Sequence, residues 1–144
     1  MIAVIDSSIV IKWFVDEPDA ALALDLRFHP LAAPDLLLAE CANVMWKKVR
    51  RDEYDGDDAA AVVRAIEHAN IALSPALGLT GRAFDIARTL GHAAYDCFYL
   101  ALAERLVLPF VTADQQLVRK VAASTATFAK TLHLTEWSVV LNAK

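Results

Sequence analysis

Four carboxylates stand where the surrounding pattern calls for apolar or neutral residues. Asp6 ends the run Ile2-Ala3-Val4-Ile5, and Glu40 interrupts Leu36-Leu37-Leu38-Ala39. Asp96 opens Asp96-Cys97-Phe98-Tyr99-Leu100, and Asp114 follows Phe110-Val111-Thr112-Ala113. A carboxylate taken out of water without a partner is costly, so acids recurring at element ends call for a shared counter-charge. A divalent cation is the simplest, and oxygen donors select Mg2+ or Mn2+ over zinc. Ser8, two positions past Asp6, supplies a hydroxyl able to hold a carboxylate, a metal-bound water or a phosphate. Thr112 stands two positions before Asp114.

Each group also has an ordinary role. Asp6, Ser8, Asp96 and Asp114 all suit the N-cap of a following helix. Glu40 can lie with Asn43 and Lys47 on a narrow polar stripe of a helix, although Leu36, Leu37 and Val44 are also its neighbours at three and four residues. Other chemistries find less support. His29, His68, His92 and His133 show no ligand-like spacing, and no Cys-x-x-Cys occurs. The nucleophile elbow Gly-x-Ser-x-Gly and the phosphate-binding loop are missing as well. A receiver-type signalling domain would need an early acidic pair, but Asp6 is followed by Ser7, and Asp55, Asp57 and Asp58 lie in a polar turn. A haloacid-dehalogenase-type phosphatase would want Asp-x-Asp, where this chain has Ser8.

The elements that must position these groups alternate. Ile2–Ile5 reads as a buried strand, followed by a helix from Ser7 or Ser8 to about Phe14 and a second over Asp19–Phe28. Leu31–Ala33 predicts a strand, and Pro34-Asp35 opens a long helix to about Arg51. A helix beginning at Asp57 or Asp58 leads to the strand Ile71–Leu73. Thr80 caps a helix stopped by Gly91, and Tyr95–Leu106 is a strongly apolar helix. The strand Phe110–Thr112, a helix from Asp114 to about Ala122 and an edge strand within Phe128–Leu134 complete the chain. Strands alternating with helices predict an α/β fold with a mainly parallel sheet, whose ligands bind beyond the carboxyl ends of the strands. Asp6 and Asp114 fall at such ends.

With 144 residues and 57% hydrophobic composition, a single domain over residues 1–144 with a substantial core is expected, and disorder is not. The apolar stretches fall short of the roughly 20 residues that span a bilayer, and no charged-apolar-small leader is seen, so a soluble cytoplasmic protein is expected. Cys41 and Cys97 lie in apolar helical patterns and read as packing residues. The net charge of -4 counts against a nucleic-acid partner unless a cation reverses the local sign of the acid cluster. Lys47, Lys48, Arg50 and Arg51, and Arg119 with Lys120, suit solvated helix ends and can also guide a polyanion. Trp13, Phe14 and Trp46 fit either the core or a partner surface.

The strand ending in Asp6-Ser7-Ser8, the helix Pro34-Asp35-Leu36-Leu37-Leu38-Ala39-Glu40, the segment Tyr95-Asp96-Cys97-Phe98-Tyr99-Leu100-Ala101-Leu102-Ala103, and Thr112-Ala113-Asp114 together resemble the PIN-domain ribonucleases. The compact form is most similar to the VapC toxins of toxin–antitoxin pairs, over residues 1–120. The resemblance implies a PIN-like three-layer α/β/α fold, Mg2+- or Mn2+-dependent cleavage of RNA, homodimerisation and neutralisation by a VapB-type antitoxin. It makes Asp6, Glu40, Asp96 and Asp114 the catalytic, metal-holding quartet, with Ser8 and Thr112 as supporting groups. Where the family sometimes carries a further acid or Asn after the fourth aspartate, this chain has Gln115 and Gln116. The alternative is a binding-only relative that engages RNA or antitoxin without cutting.

Overall fold

Ala3–Ile5 (β1) is entirely buried, as a strand covered by helices on both faces must be. The computed structural model describes residues 1–143, and Lys144, the last residue of the expected domain, lies outside them. After β1 come α1 (Ser7–Ile11), α2 (Ala20–Leu26), β2 (Leu31–Pro34), α3 (Leu36–Arg50) and α4 (Gly56–Glu67). They are followed by β3 (Ile71–Ser74), α5 (Thr80–Leu90), α6 (Ala94–Leu106), β4 (Phe110–Thr112), α7 (Gln115–Ala123), β5 (Thr131–His133) and α8 (Leu134–Asn142).

The five strands form one wholly parallel sheet in the order β3-β2-β1-β4-β5, flanked by helices. Parallel neighbours require crossovers, and the helices between strands supply them. The chain builds outward from β1 through β2 and β3, then returns to lay β4 on the other side of β1. Connections on either side of such a reversal diverge and leave a crevice at the carboxyl ends of β1 and β4. Asp6 follows β1 and Asp114 follows β4, so the topology alone brings both to that crevice.

Helix α6 lies over β1, β2 and β4 and contributes the fully buried Tyr99, whose ring stacks on Phe110 with centroids 5.7 Å apart. Gly91 ends α5 in the left-handed region at φ 63°, which a residue without Cβ adopts without strain. Cys41 and Cys97 are buried free thiols, as packing residues would be. No helix among the described residues is long and apolar enough to cross a membrane.

Several expectations need correction. Helix α1 ends at Ile11 rather than Phe14, and Lys12–Phe14 continue as a turn. Helix α4 starts one residue before Asp57, because Asp55 is the cap, its carboxylate accepting from the Asp57 and Asp58 amides at 3.0 Å. Thr80 does not cap α5; Leu79 holds that position, and the Thr80 hydroxyl donates back to the Ala76 carbonyl. The tail strand is only three residues long, and the helix α8 follows it where the pattern showed none. Trp13 belongs to the core: it is 8% exposed, and its Nε1 donates to the Ala23 carbonyl at 2.7 Å. Phe14 packs half-buried against that core, whereas Trp46 is 54% exposed beneath the Arg50 guanidinium.

Candidate functional site

Asp6 occupies the N-cap position of α1, yet its side chain makes no capping bond. It is instead the buried acceptor of two hydroxyls. Ser8 Oγ donates to Asp6 Oδ1 and Thr112 Oγ1 donates to Asp6 Oδ2, both at 2.5 Å. Each hydroxyl also accepts a backbone amide from the β4–α7 junction, Ala113 N onto Ser8 at 2.9 Å and Asp114 N onto Thr112 at 3.1 Å. The two strand ends are thereby tied through Asp6. Burial pushes the Asp6 carboxyl up to about 6 despite the two donors, with the nearby charge of Asp96 adding to the effect.

Glu40 does not share the polar stripe of Asn43 and Lys47, both exposed, that was its ordinary alternative, and turns toward this crevice. Its Oε2 accepts from Ser7 Oγ at 3.2 Å and from the Tyr99 hydroxyl at 3.3 Å. Its Oε1 is buried without a hydrogen-bond partner. Desolvation, then repulsion from Asp96, raises the Glu40 carboxyl to about 7. The same surroundings push the Tyr99 phenol far above its ordinary value, chiefly through burial, so it remains a donor.

Asp96 lies in the first turn of α6, and its Oδ2 is 2.6 Å from His92 Nε2. Asp114 caps α7 through Oδ1, which accepts from Leu117 N at 3.1 Å. The capping role weighed for Asp114 is therefore real, and it engages one of two oxygens. Ligand atoms of His92, Asp96 and Asp114 lie within 4.8 Å of one another. Asp6, Glu40 and Asp96 are linked by mutual repulsion, and Asp96 lies beside Asp114, so the structure gathers all four acids. Gln115 and Gln116 are exposed at the start of α7.

His92 carries no paired-histidine or Cys-x-x-Cys signal in the sequence. The usable signal was His92-x-x-x-Asp96, a four-residue spacing that places a nitrogen beside a carboxylate. Among the basic residues, Lys48 pairs with Glu17 at 3.1 Å, while Lys120 turns inward to His92. A cavity of about 1000 Å3 lies at the opposite end of the strands among Ile2, Leu108, Pro109, Leu132 and Trp137, and none of the four acids lines it.

The donor set fits a hard divalent cation. An unpartnered buried carboxylate oxygen on Glu40 and two acids held above their ordinary range mark a place where positive charge is wanting. A PIN domain matches residues 3–123. The chain belongs to the PIN-domain family. Among PIN relatives, Ribonuclease VapC3 of Pyrobaculum aerophilum is 30% identical over 127 residues, covering 83% of this chain and 95% of that protein. Ribonuclease VapC9 of Mycobacterium tuberculosis is 30% identical over 115 residues, covering 79% and 87% respectively. PIN-like structures agree in fold. PAE2754 from Pyrobaculum aerophilum superposes with a TM-score of 0.72 at 21% identity, covering 100% of this chain and 91% of that one. VapBC2 from Rickettsia felis, solved bound to a DNA fragment from its promoter, gives 0.61 at 14% identity, covering 92% and 98%.

Proposed function

We propose that this chain is the toxin of a VapBC-type pair, an endoribonuclease that hydrolyses RNA phosphodiester bonds at Asp6, Glu40, Asp96 and Asp114. The observation that carries the reading is the convergence of these four acids at the β1–β4 crevice of a PIN fold. In this reading Asp6, Asp96 and Asp114 hold Mg2+ or Mn2+, and Glu40 completes the set. When bound, the cation supplies a lowered water pKa and stabilisation of charge developing on the phosphate.

The chain's own residues do the rest. Ser8 and Thr112 orient Asp6 so that both oxygens keep fixed directions. Ser7 and Tyr99 anchor Glu40 by Oε2 and leave Oε1 available to orient the attacking water and take its proton. A VapB-type antitoxin as neutralising partner, a homodimer and a cytoplasmic setting belong to the same proposal. The names of the relatives support the antitoxin.

The test is cleavage of structured and unstructured RNAs by wild type and Asp96→Asn, with Mg2+, Mn2+ or EDTA. Metal-dependent cutting by the wild type alone is expected. Cutting that survives EDTA, or equal cutting by both proteins, would overturn the assignment. Mn2+ binding and antitoxin capture without cleavage of any RNA would favour the binding-only alternative.

A further inference from the structure

The link between α5 and α6, Gly91–Ala93, carries His92 into the acid crevice, and Lys120 reaches it from α7. His92 Nε2 lies 2.6 Å from Asp96 Oδ2. On the other side of the ring, Lys120 Nζ lies 3.2 Å from Nδ1, and it also donates to the Gly91 carbonyl at 3.4 Å. An ammonium group has donors only, so Nδ1 is the acceptor and the ring proton sits on Nε2. Nε2 then donates to Asp96. The three side chains form a directed row, Lys120 to His92 to Asp96. The His92 side chain is only 11% exposed, so the ring itself is largely shielded from water, while Asp96 keeps 33% of its side chain open toward the crevice. Within the row Asp96 Oδ2 is engaged, and Oδ1 is the oxygen left for a cation.

We propose that His92 is a positioning residue, oriented by Lys120, that fixes which oxygen Asp96 offers to the metal. The inference rests on the reading of Asp96 as a metal-holding residue. It gives Lys120, a helix-end cation by its sequence position, a structural part in the site. It also distinguishes His92 from a ligand: a nitrogen that donates its proton to Asp96 has no lone pair for a cation. Outer hydrogen-bond partners of this kind change metal affinity by about 10- to 100-fold when removed.

The test combines two measurements that do not depend on RNA. Nitrogen NMR of the histidine rings reports which nitrogen carries the proton, without metal and with Mg2+. Calorimetry gives Mn2+ affinity for wild type, His92→Leu, His92→Gln and Lys120→Met, with circular dichroism confirming that each variant folds. The expected result is a proton on Nε2 that stays there when Mg2+ is added. His92→Leu should bind Mn2+ about 10-fold more weakly or worse, and His92→Gln, whose amide can still donate, should recover most of that loss. Lys120→Met should leave the proton on Nε2, which the acceptor-only Asp96 carboxylate still holds, and shift the Nδ1 resonance as that nitrogen loses its donor. Loss of the Nε2 proton on adding Mg2+ would make His92 a ligand and overturn the proposal, as would wild-type affinity in His92→Leu or an unmoved Nδ1 resonance in Lys120→Met. Failure of the wild type to bind Mn2+ would instead overturn the metal reading beneath it, so the two failures are distinguishable.

Discussion

The Tyr99 hydroxyl donates to Glu40 Oε2 at 3.3 Å while its ring stacks on Phe110, so one side chain of α6 joins the core to the acid site. Removing only the hydroxyl separates the two roles. Tyr99→Phe keeps the stack and takes a donor from a carboxylate, which favours the protonated form of Glu40. The rising limb of the pH–rate profile should move to higher pH by about one unit or less, because a hydrogen bond to a charged group contributes about 1.5 kcal/mol at the weaker end. A limb that stays in place would reduce Tyr99 to packing.

Metal-free stability should fall as pH rises. Asp6 and Glu40 carry protons to about 6 and about 7 in the folded protein, against ordinary values of 3.8 and 4.5. The folded state therefore binds protons that the unfolded chain has released, and the stability this confers is complete below about pH 4 and lost as pH rises through 6 and 7. Melting curves from pH 5 to 8 in EDTA should show a declining midpoint. Saturating Mn2+ should flatten the decline, since the bound cation replaces the protons. A metal-free midpoint that climbs through this window would contradict the burial of these charges.

Asp6→Asn should uncouple stability from function. It removes a buried charge repelled by Asp96 while keeping the shape, so the metal-free midpoint at pH 7.5 should equal or exceed that of wild type. The same variant should lose the stabilisation given by Mn2+ and cut RNA about 100-fold more slowly or worse, since a bound cation contributes several kcal/mol to charge stabilisation. Thermal melts with and without Mn2+, run beside the cleavage assay, check both halves.

Thr112 is completely buried, and its hydroxyl serves Asp6 and the Asp114 amide at once. Thr112→Val fits the same volume but leaves both unpaired, at a cost of about 2 kcal/mol. Thr112→Ser should restore most of that loss. Urea denaturation of the three proteins decides it, and equal stabilities would mean that water replaces the hydroxyl.

Trp13→Phe should destabilise by about 1–3 kcal/mol, through loss of the bond to the Ala23 carbonyl. Cleavage by the variant should persist wherever the fold persists. A specific loss of antitoxin binding without loss of stability would return Trp13 to the partner surface.

The sheet was legible because its strands are short runs bounded by turn residues, β-branched in β1 and β4 and merely apolar in β2, and the parallel order followed from the helices between them. Asp6 and Asp114 stood out because strands point their following residues into a common edge. What the pattern could not show was direction within a side chain. Asp6 and Asp114 occupy equivalent N-cap positions, yet only Asp114 caps, because Ser8 and Thr112 capture the carboxylate of Asp6 first. His92 was hidden for a similar reason: its contact with Lys120 spans 28 residues and two helices. Helix α8 was missed because its apolar residues follow a three-residue strand too closely to show a separate period.

The pairing of β1 with β4 joins Val4 to Phe110 and Ile5 to Val111, so the first strand of the chain waits for one that is made only after α6. During synthesis the N-terminal half can fold onto itself, but it cannot complete the crevice. Asp6 has neither Thr112 nor Asp114 beside it until β4 has left the ribosome. In the proposed function, a growing chain therefore cannot cut the RNA that encodes it before Thr112 and Asp114 have emerged to meet Asp6.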